Sequence, residues 1–538
     1  MQRRDELDVL AKEKFWAVLQ PTEYHFARCA LRGGRTDVRK VLHILSDEDI
    51  AAGKEIRYVD ITSEYPYVQF KEDYPVGYPT IYIYDEEHYP ACNKHRNPEP
   101  EDMFRIGCPC RVVERKHFNC KMTQIIEIEN QPTKEEILQD EDFFGIVCVS
   151  MTPPTNLFIP VLVTYDDINQ KCMADLLPKN AVTITTVEFK ACLEAGYRLD
   201  KVHRFDKYAK RRGLWNEFIK PLYIDKMSNS DNQPDDLEKE RLILEYGNQF
   251  DMAQELTDSF DKGWRKNKGL KLIAKISLNS LWGKLCQRAN LPQTIHLEAD
   301  DSEGQAELLG QLYSGQIKLK SIYGVNGSTV YEHTATSKCN PNLHNGYLPA
   351  GLFVPAYGRM MLYDQMKHLG KRVLYHDTDS IIYIHDPQED FNIATSDIWG
   401  GWTEEDESKF GITAFVSIAP KSYAIKMRDG STKLKFKGVC LKESHRKYMN
   451  FDVLVDMINA GINDISLPVD LPQRGFPFNK AKQMTFTRET LKRVEFKPCQ
   501  LKGNLMKDYY VYPLGYCQGC LGEDINTRAP VAEHTCGI

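Results

Sequence analysis

The chain has 538 residues, 42% hydrophobic and 27% charged, an ordinary balance for a globular protein with room for several domains and a large core. No apolar run of about 18 residues occurs, which excludes a membrane span, and the charged start MQRRDELDVLAKEKFWAVL lacks the apolar centre of a secretory signal. A net charge of −7 argues against a uniformly basic nucleic-acid binder but leaves room for local basic grooves, and fifteen scattered cysteines suit reduced intracellular thiols better than a disulfide scaffold.

In chain order, residues 1–28 read as a helix and a connector. Leu31-Arg32-Gly33-Gly34-Arg35-Thr36 follows; its glycines allow a tight turn or a close backbone approach, and its arginines suit either phosphates or water. Ile56 to Ile61 is a β-prone run with Asp60 at its end, and Ser63 to Pro66 breaks the strand into a turn. An aspartate at the end of a buried strand needs a partner, which is either a metal ion or the start of a following helix. Residues 85–130 are irregular and hold His88, Cys92, His95, Cys108, Cys110, His117 and Cys120. Zinc ligands and ordinary loop cysteines both fit there, and the spacings match no standard finger. Residues 144–165 return to strand-like patterning, with Pro153-Pro154 at a turn. Residues 184–226 read strand–helix–strand–helix. Within them, Lys201 to Arg212 is basic and aromatic, either a nucleic-acid contact or a solvated helix face.

Residues 235–290 are helical. At about 100° per residue, Leu270, Ala274, Leu278, Leu281 and Leu285 form one apolar stripe of the last helix, and Lys268, Lys271, Lys275, Asn279 and Trp282 fall on another face. A row of lysines continued by an amide and an aromatic suits a triphosphate at one end and a base or sugar at the other; the plain alternative is an amphipathic helix with lysines in water. Residues 286–350 are polar and loop-rich, and 355–369 form another helix. Val373 to Ile384 reads as strand, tight turn, strand around the acidic tip His376-Asp377-Thr378-Asp379. Residues two apart on a strand share a face, so Asp377 and Asp379 repel unless one holds a proton or a hard dication such as Mg²⁺ sits between them. Residues 395–410 read as a turn and an acidic face. Lys421 and Tyr423 share a strand face, and Lys433, Lys435 and Lys437 line another. The tail holds Cys517, Cys520 and Cys536, without a clear fourth ligand for zinc.

Three of these stretches resemble one family. DITSEYP at 60–66 resembles motif A of family B DNA polymerases, KISLNSLWGK at 275–284 motif B, and YHDTDS at 375–380 motif C, in the family's order. RGGRT at 32–36 is similar to the YxGG element and Lys421-Ser422-Tyr423 to the KxY element, so the likeness spans roughly 30–440. It is closest to the protein-primed subgroup of phages, linear plasmids and viruses, and within it to polymerases of Polinton or Maverick transposons. The resemblance implies an α+β right-hand fold with an antiparallel-sheet palm, helical fingers and a C-terminal thumb. The expected division is 1–55 as an N-terminal connector with RGGRT, 56–230 as palm with a first insertion, and 231–285 as fingers. A second insertion follows at 286–352, then palm with the acidic hairpin and KSY at 353–442, and thumb and tail at 443–538.

The implied activity is DNA-directed DNA synthesis on a 3′-hydroxyl with two Mg²⁺ ions, for which Mn²⁺ can substitute, in replication of a mobile or viral-type element. By resemblance, Asp60, Asp377 and Asp379 are catalytic and metal-binding. Ser63, Tyr65, Lys271, Lys275, Asn279, Trp282 and Gly283 meet the incoming deoxynucleoside triphosphate. Arg32, Gly33, Gly34, Thr378, Lys421 and Tyr423 meet the DNA. The implied partners are template-primer DNA, dNTPs and a terminal protein as primer, with no membrane, in the nucleus. With only residues 1–31 before RGGRT, no proofreading exonuclease is expected in this chain. Leu31, Glu64 and Trp282 depart from the family's usual Tyr, apolar residue and Tyr. The alternative is a DNA-binding remnant of such a polymerase without activity.

Overall fold

The computed structural model describes residues 21–84, 124–128, 130–166, 171–230, 234–288, 291–325, 328–335, 346–405, 411–479 and 484–517. The seven His and Cys positions between 88 and 120, together with Cys520 and Cys536, lie outside them. Helix α1 (Pro21–Ala30) leads through the Gly-Gly turn to strands β1 (Thr36–Val38) and β2 (Leu42–Ile44), helix α2 (Asp47–Ala51) and strand β3 (Glu55–Ile61). Helix α3 (Glu64–Lys71) begins where a turn was expected. Thr62 and Ser63 make the turn, Ser63 with a left-handed φ of 55°, and Pro66 sits in the first helical turn, where a missing N–H is tolerated.

Next come β4 (Asp73–Ile83), β5 (Gln124–Glu127), α4 (Lys134–Gln139), β6 (Gly145–Thr152), the small pair β7 (Thr164–Asp166) and β8 (Lys171–Met173), β9 (Lys179–Thr185), α5 (Thr186–Glu194) and β10 (Arg198–Arg212). Five of these strands form a sheet in the order β5-β4-β10-β6-β9, antiparallel except between β4 and β5. The basic run 201–212 is therefore strand, not helix. Its Arg204 turns inward, donates to Asp206 at 2.7 Å and lies 3.9 Å from the centre of the Phe26 ring.

The helical region divides into α6 (Asn216–Ser228), α7 (Asp236–Phe250), α8 (Ala253–Asp261) and α9 (Lys268–Leu285), with left-handed Asp251 and Gly263 at two of the breaks. Ala274, Leu278, Leu281 and Leu285 are buried, as the wheel requires, while Leu270 stays exposed. Strand β11 (Gln293–Leu297), helix α10 (Ser302–Tyr313), β12 (Ile317–Val325) and β13 (Ser328–Ala335) make a small unit around Leu297, Leu308 and Ile317, where loop was expected.

Helix α11 (Leu348–Leu369) precedes β14 (Val373–Asp377), β15 (Ser380–His385), β16 (Trp402–Glu404), β17 (Ile412–Ala419), β18 (Ser422–Met427) and β19 (Thr432–Phe436). The end of the described chain holds α12 (Phe451–Ile462), β20 (Val469–Gly475), β21 (Phe478–Asn479), β22 (Met484–Thr485), β23 (Arg488–Val494), β24 (Asn504–Leu505) and β25 (Val511–Tyr512). The central sheet runs β1-β14-β15-β3-β17-β18-β19, with β16 added to β3 and β2 to β17, all antiparallel. Its two faces follow the period of two. Val59, Ile61, Ile381 and Tyr383 pack with Leu362 and Met366 of α11, while Ile56, Tyr58 and Ile382 pack on the side of Met457 and Ile458 of α12. The fold is α+β. Among the described residues, no helix is long and apolar enough to cross a membrane.

Candidate active site

The acidic residues meet because three strand ends align. Ser380 pairs in register with Asp377 on one side and with Asp60 on the other, so one row across the sheet reads Asp377, Ser380, Asp60. Thr36 and Thr403 extend that row at its two ends. Each threonine hydroxyl donates to the neighbouring carboxylate, Thr36 to Asp377 at 2.6 Å and Thr403 to Asp60 at 2.9 Å. Strand spacing puts the Asp60 and Asp377 backbones roughly 10 Å apart. Asp379 sits in the turn just ahead of Ser380, and its carbonyl accepts from the Ile61 amide at 2.8 Å.

These carboxylates differ in state. Burial first, then the charges of Asp60 and Asp377, push the Asp379 carboxyl up to about 6. Asp377 is engaged already: the Lys421 ammonium lies 3.0 Å from it, and the Tyr375 hydroxyl donates at 3.3 Å. Glu64, 3% exposed at the start of α3, is a further carboxyl beneath the row. Burial holds its pKa well above the usual range, and Asp379 adds to the effect; among the described residues its Oε1 has no hydrogen-bond partner.

Facing the carboxylates is a basic group. The Lys226 ammonium, near the end of α6, donates to the Ser63 hydroxyl. Burial first, then the charges of Lys275 and Lys271, lower its pKa to about 8, against the opposing pull of Asp60. Three lysines gathered near an aspartate make a place for a polyanion. Lys226 was not singled out from sequence; nothing local distinguishes it, since its companions lie more than forty positions on, in α9. Beside this group, Tyr65 meets Trp282 edge-on with ring centres 5.2 Å apart, and the indole N–H donates to the Gly351 carbonyl at 2.9 Å. Asn279 and Gly283 are exposed on the same helix.

Among the described residues, no three His, Cys, Asp or Glu side chains converge as a metal cage. Asp60 beside a destabilised Asp379 nonetheless fits Mg²⁺, which takes one or two carboxylates and completes its shell with water and substrate phosphates. Such a site does not require Asp377 as a direct ligand.

Structure comparison places the chain beside phi29 DNA polymerase in several ligand states. With that polymerase complexed with primer-template DNA and incoming nucleotide substrates, the TM-score is 0.53 at 13% identity, over 92% of this chain and 66% of that one. The fold is that of phi29 DNA polymerase. Its complex with single-stranded DNA gives 0.52 at 15% identity, over 92% and 66% of the two chains. Its post-translocation complex with primer-template DNA gives 0.52 at 14%, over 91% and 66%. The chain thus spans about 66% of the length of phi29 DNA polymerase in these structures. No protein-family model matches the chain, and no curated protein does.

Within this phi29 polymerase fold, the six residues expected to meet DNA fall into three pairs. Thr378 and Lys421 lie at the site, both with left-handed φ, 58° and 65°. Lys421 occupies the turn before β18, not the strand itself, which leaves its ammonium half-exposed beside Asp377. Arg32 and Tyr423 are buried. Arg32 is 7% exposed because its guanidinium turns inward to the Thr183 carbonyl, 2.9 Å away. Tyr423 is 4% exposed because it packs under the site, its hydroxyl on that of Tyr58 at 3.2 Å. Gly33 and Gly34 serve packing: the Gly33 carbonyl accepts from Arg359, and a methyl on Gly34 would come within 2.6 Å of Thr378.

Proposed function

We propose that the chain is a DNA-directed DNA polymerase that adds deoxynucleotides to a primer 3′-hydroxyl. The observation that carries the reading is the pairing of Asp60 and Asp379 on one edge of a site whose other edge is Lys226, Lys271 and Lys275. A nuclease needs the first edge only; a triphosphate needs both.

Asp60 and Asp379 would hold two Mg²⁺ ions, or Mn²⁺ in their place, which supply Lewis acidity at the attacking hydroxyl and the triphosphate. The lysines neutralise the triphosphate, with Lys226 leaving Ser63 to do so. Tyr65, braced by Trp282, lies under the sugar and excludes a 2′-hydroxyl. Asn279 and Gly283 face the nascent base pair. Thr378 and Lys421 receive the primer strand, and contact with a primer phosphate draws Lys421 off Asp377. Replication of a mobile or viral-type element, in the nucleus, with a terminal-protein hydroxyl as the first primer, follows from the sequence resemblance.

The test is primer extension by the purified chain with Mg²⁺ or Mn²⁺, beside Asp379→Asn. Template-directed extension that disappears in the variant supports the reading. A folded wild type that binds DNA and extends nothing points instead to an inactive remnant, and cutting of DNA without nucleotide points to a nuclease.

A further inference from the structure

Two fully buried ions lie behind the proposed site, close enough for the Arg359 charge to reach Glu64 and Tyr65. Arg359 of α11 is 1% exposed and Glu188 of α5 is 0% exposed. The guanidinium Nε donates to Glu188 Oε1 at 2.9 Å, and Nη2 lies 2.7 Å from the same oxygen. The other Glu188 oxygen accepts from the Thr185 hydroxyl at 3.0 Å. Removing two charges from water is costly, and an apolar pair of the same volume usually stabilises a fold as well. The guanidinium offers something an apolar residue lacks, a further N–H in fixed geometry. Nη1 donates to two carbonyls, of Arg32 at 3.0 Å and of Gly33 at 2.8 Å.

Those carbonyls belong to the turn on which the acidic hairpin rests. Gly34 packs on Thr378 so closely that no Cβ fits between them. The Thr378 amide donates to the Arg35 carbonyl at 2.7 Å, and Thr36 holds Asp377. Thr378, between the two aspartates, has a φ of 58°, which a β-branched residue keeps only where its surroundings impose it. Arg32 ties the same turn to β9 through Thr183. The turn is thus fastened to β9 and α5, in the inserted part of the chain, and the hairpin to the turn.

We infer that Glu188 and Arg359 are positioning residues for the Asp377–Asp379 hairpin, linking the five-stranded sheet unit to the geometry of the carboxylates. The inference rests on the polymerase reading for its catalytic consequence and on the structure alone for its mechanical one. A small displacement of a reacting group is enough to lower a rate strongly while leaving substrate binding in place.

Two near-isosteric variants test it. Glu188→Gln keeps the shape and removes the charge, and Arg359→Lys keeps the charge and removes the fork. In the full chain without metal, hydrogen exchange over 377–380 is expected to rise about tenfold in both, with α12 and β17 unchanged. In extension assays, kcat is expected to fall about tenfold and the Mn²⁺ midpoint to rise, with the KM for dNTP within about twofold of wild type. General loosening, with exchange raised evenly and no change in the Mn²⁺ midpoint or kcat, overturns the positioning role. Wild-type exchange at 377–380 in either folded variant overturns it as well. If the wild type itself extends no primer, the polymerase reading falls, and exchange at the hairpin still decides the mechanical link.

Discussion

The Lys421 ammonium lies 3.0 Å from the Asp377 carboxylate, so the acidic hairpin carries its own counter-ion. Lys421 is half-exposed, and an ion pair of that kind contributes at most about 1 kcal/mol. Lys421→Ala is therefore expected to leave the melting temperature nearly unchanged. If the lysine serves the primer, the same variant raises the KM for primer-template about tenfold and leaves the KM for dNTP alone. Unchanged primer affinity in steady-state kinetics would assign Lys421 to Asp377 only.

Asp379→Asn should separate stability from function. The carboxyl is raised from 3.8 to about 6 in the fold, so the folded state holds a proton that the unfolded state has released between those values. Stability is highest below about pH 4 for this group and falls as pH rises through 6, a cost of about 3 kcal/mol at neutral pH. The asparagine variant avoids that cost, so without metal it melts higher than wild type at pH 7.5 and not at pH 4. Mn²⁺ raises the melting temperature of wild type and has little effect on the variant. Equal melting at pH 7.5 would mean the carboxylate is not strained.

Glu64 gives a second pH signature. Its carboxyl is buried, with pKa well above the usual 4.5, and a Cβ on Gly358 would meet it at 2.9 Å. The sign is the same: the contribution is complete below pH 4.5 and is lost as pH rises, by up to about 1.4 kcal/mol per unit. Glu64→Gln should flatten the profile of denaturant midpoint against pH above 4.5. Parallel profiles for the two proteins would exclude Glu64 as the source.

Lys226→Ala is expected to raise the KM for dNTP by about 10- to 100-fold, the loss of one charge-assisted contact, and Lys226→Arg to recover part of it. DNA affinity in a filter or anisotropy assay stays within about twofold of wild type. A variant with normal KM and weakened DNA binding would move Lys226 from the nucleotide to the template side.

Tyr65→Val removes the ring that Trp282 braces. Ribonucleotide incorporation, read against dNTP in competition, is expected to rise at least tenfold. No change in that ratio would take Tyr65 out of sugar selection.

What could be read from sequence was what depends on near neighbours. Asp60 ends a short β-prone run, Asp377 and Asp379 sit on a turn between apolar strands, and Lys271, Lys275 and Asn279 recur at helical spacing. These are periodicities of two and 3.6, imposed by backbone geometry within a few residues. By itself the sequence offered Asp60, Asp377, Asp379, Lys271 and Lys275 as candidates, and the α+β class through its motif resemblance. Tertiary structure alone decided which of them are free to act. It turned Arg32 inward to Thr183, put Tyr423 beneath the sheet, paired Asp377 with Lys421, and brought Lys226 from another helix to face Asp60. The physical reason is that burial and counter-ions are set by groups far apart in the chain. A charged side chain reads the same in a sequence whether it meets water, a carbonyl or an opposite charge, and only packing distinguishes the three.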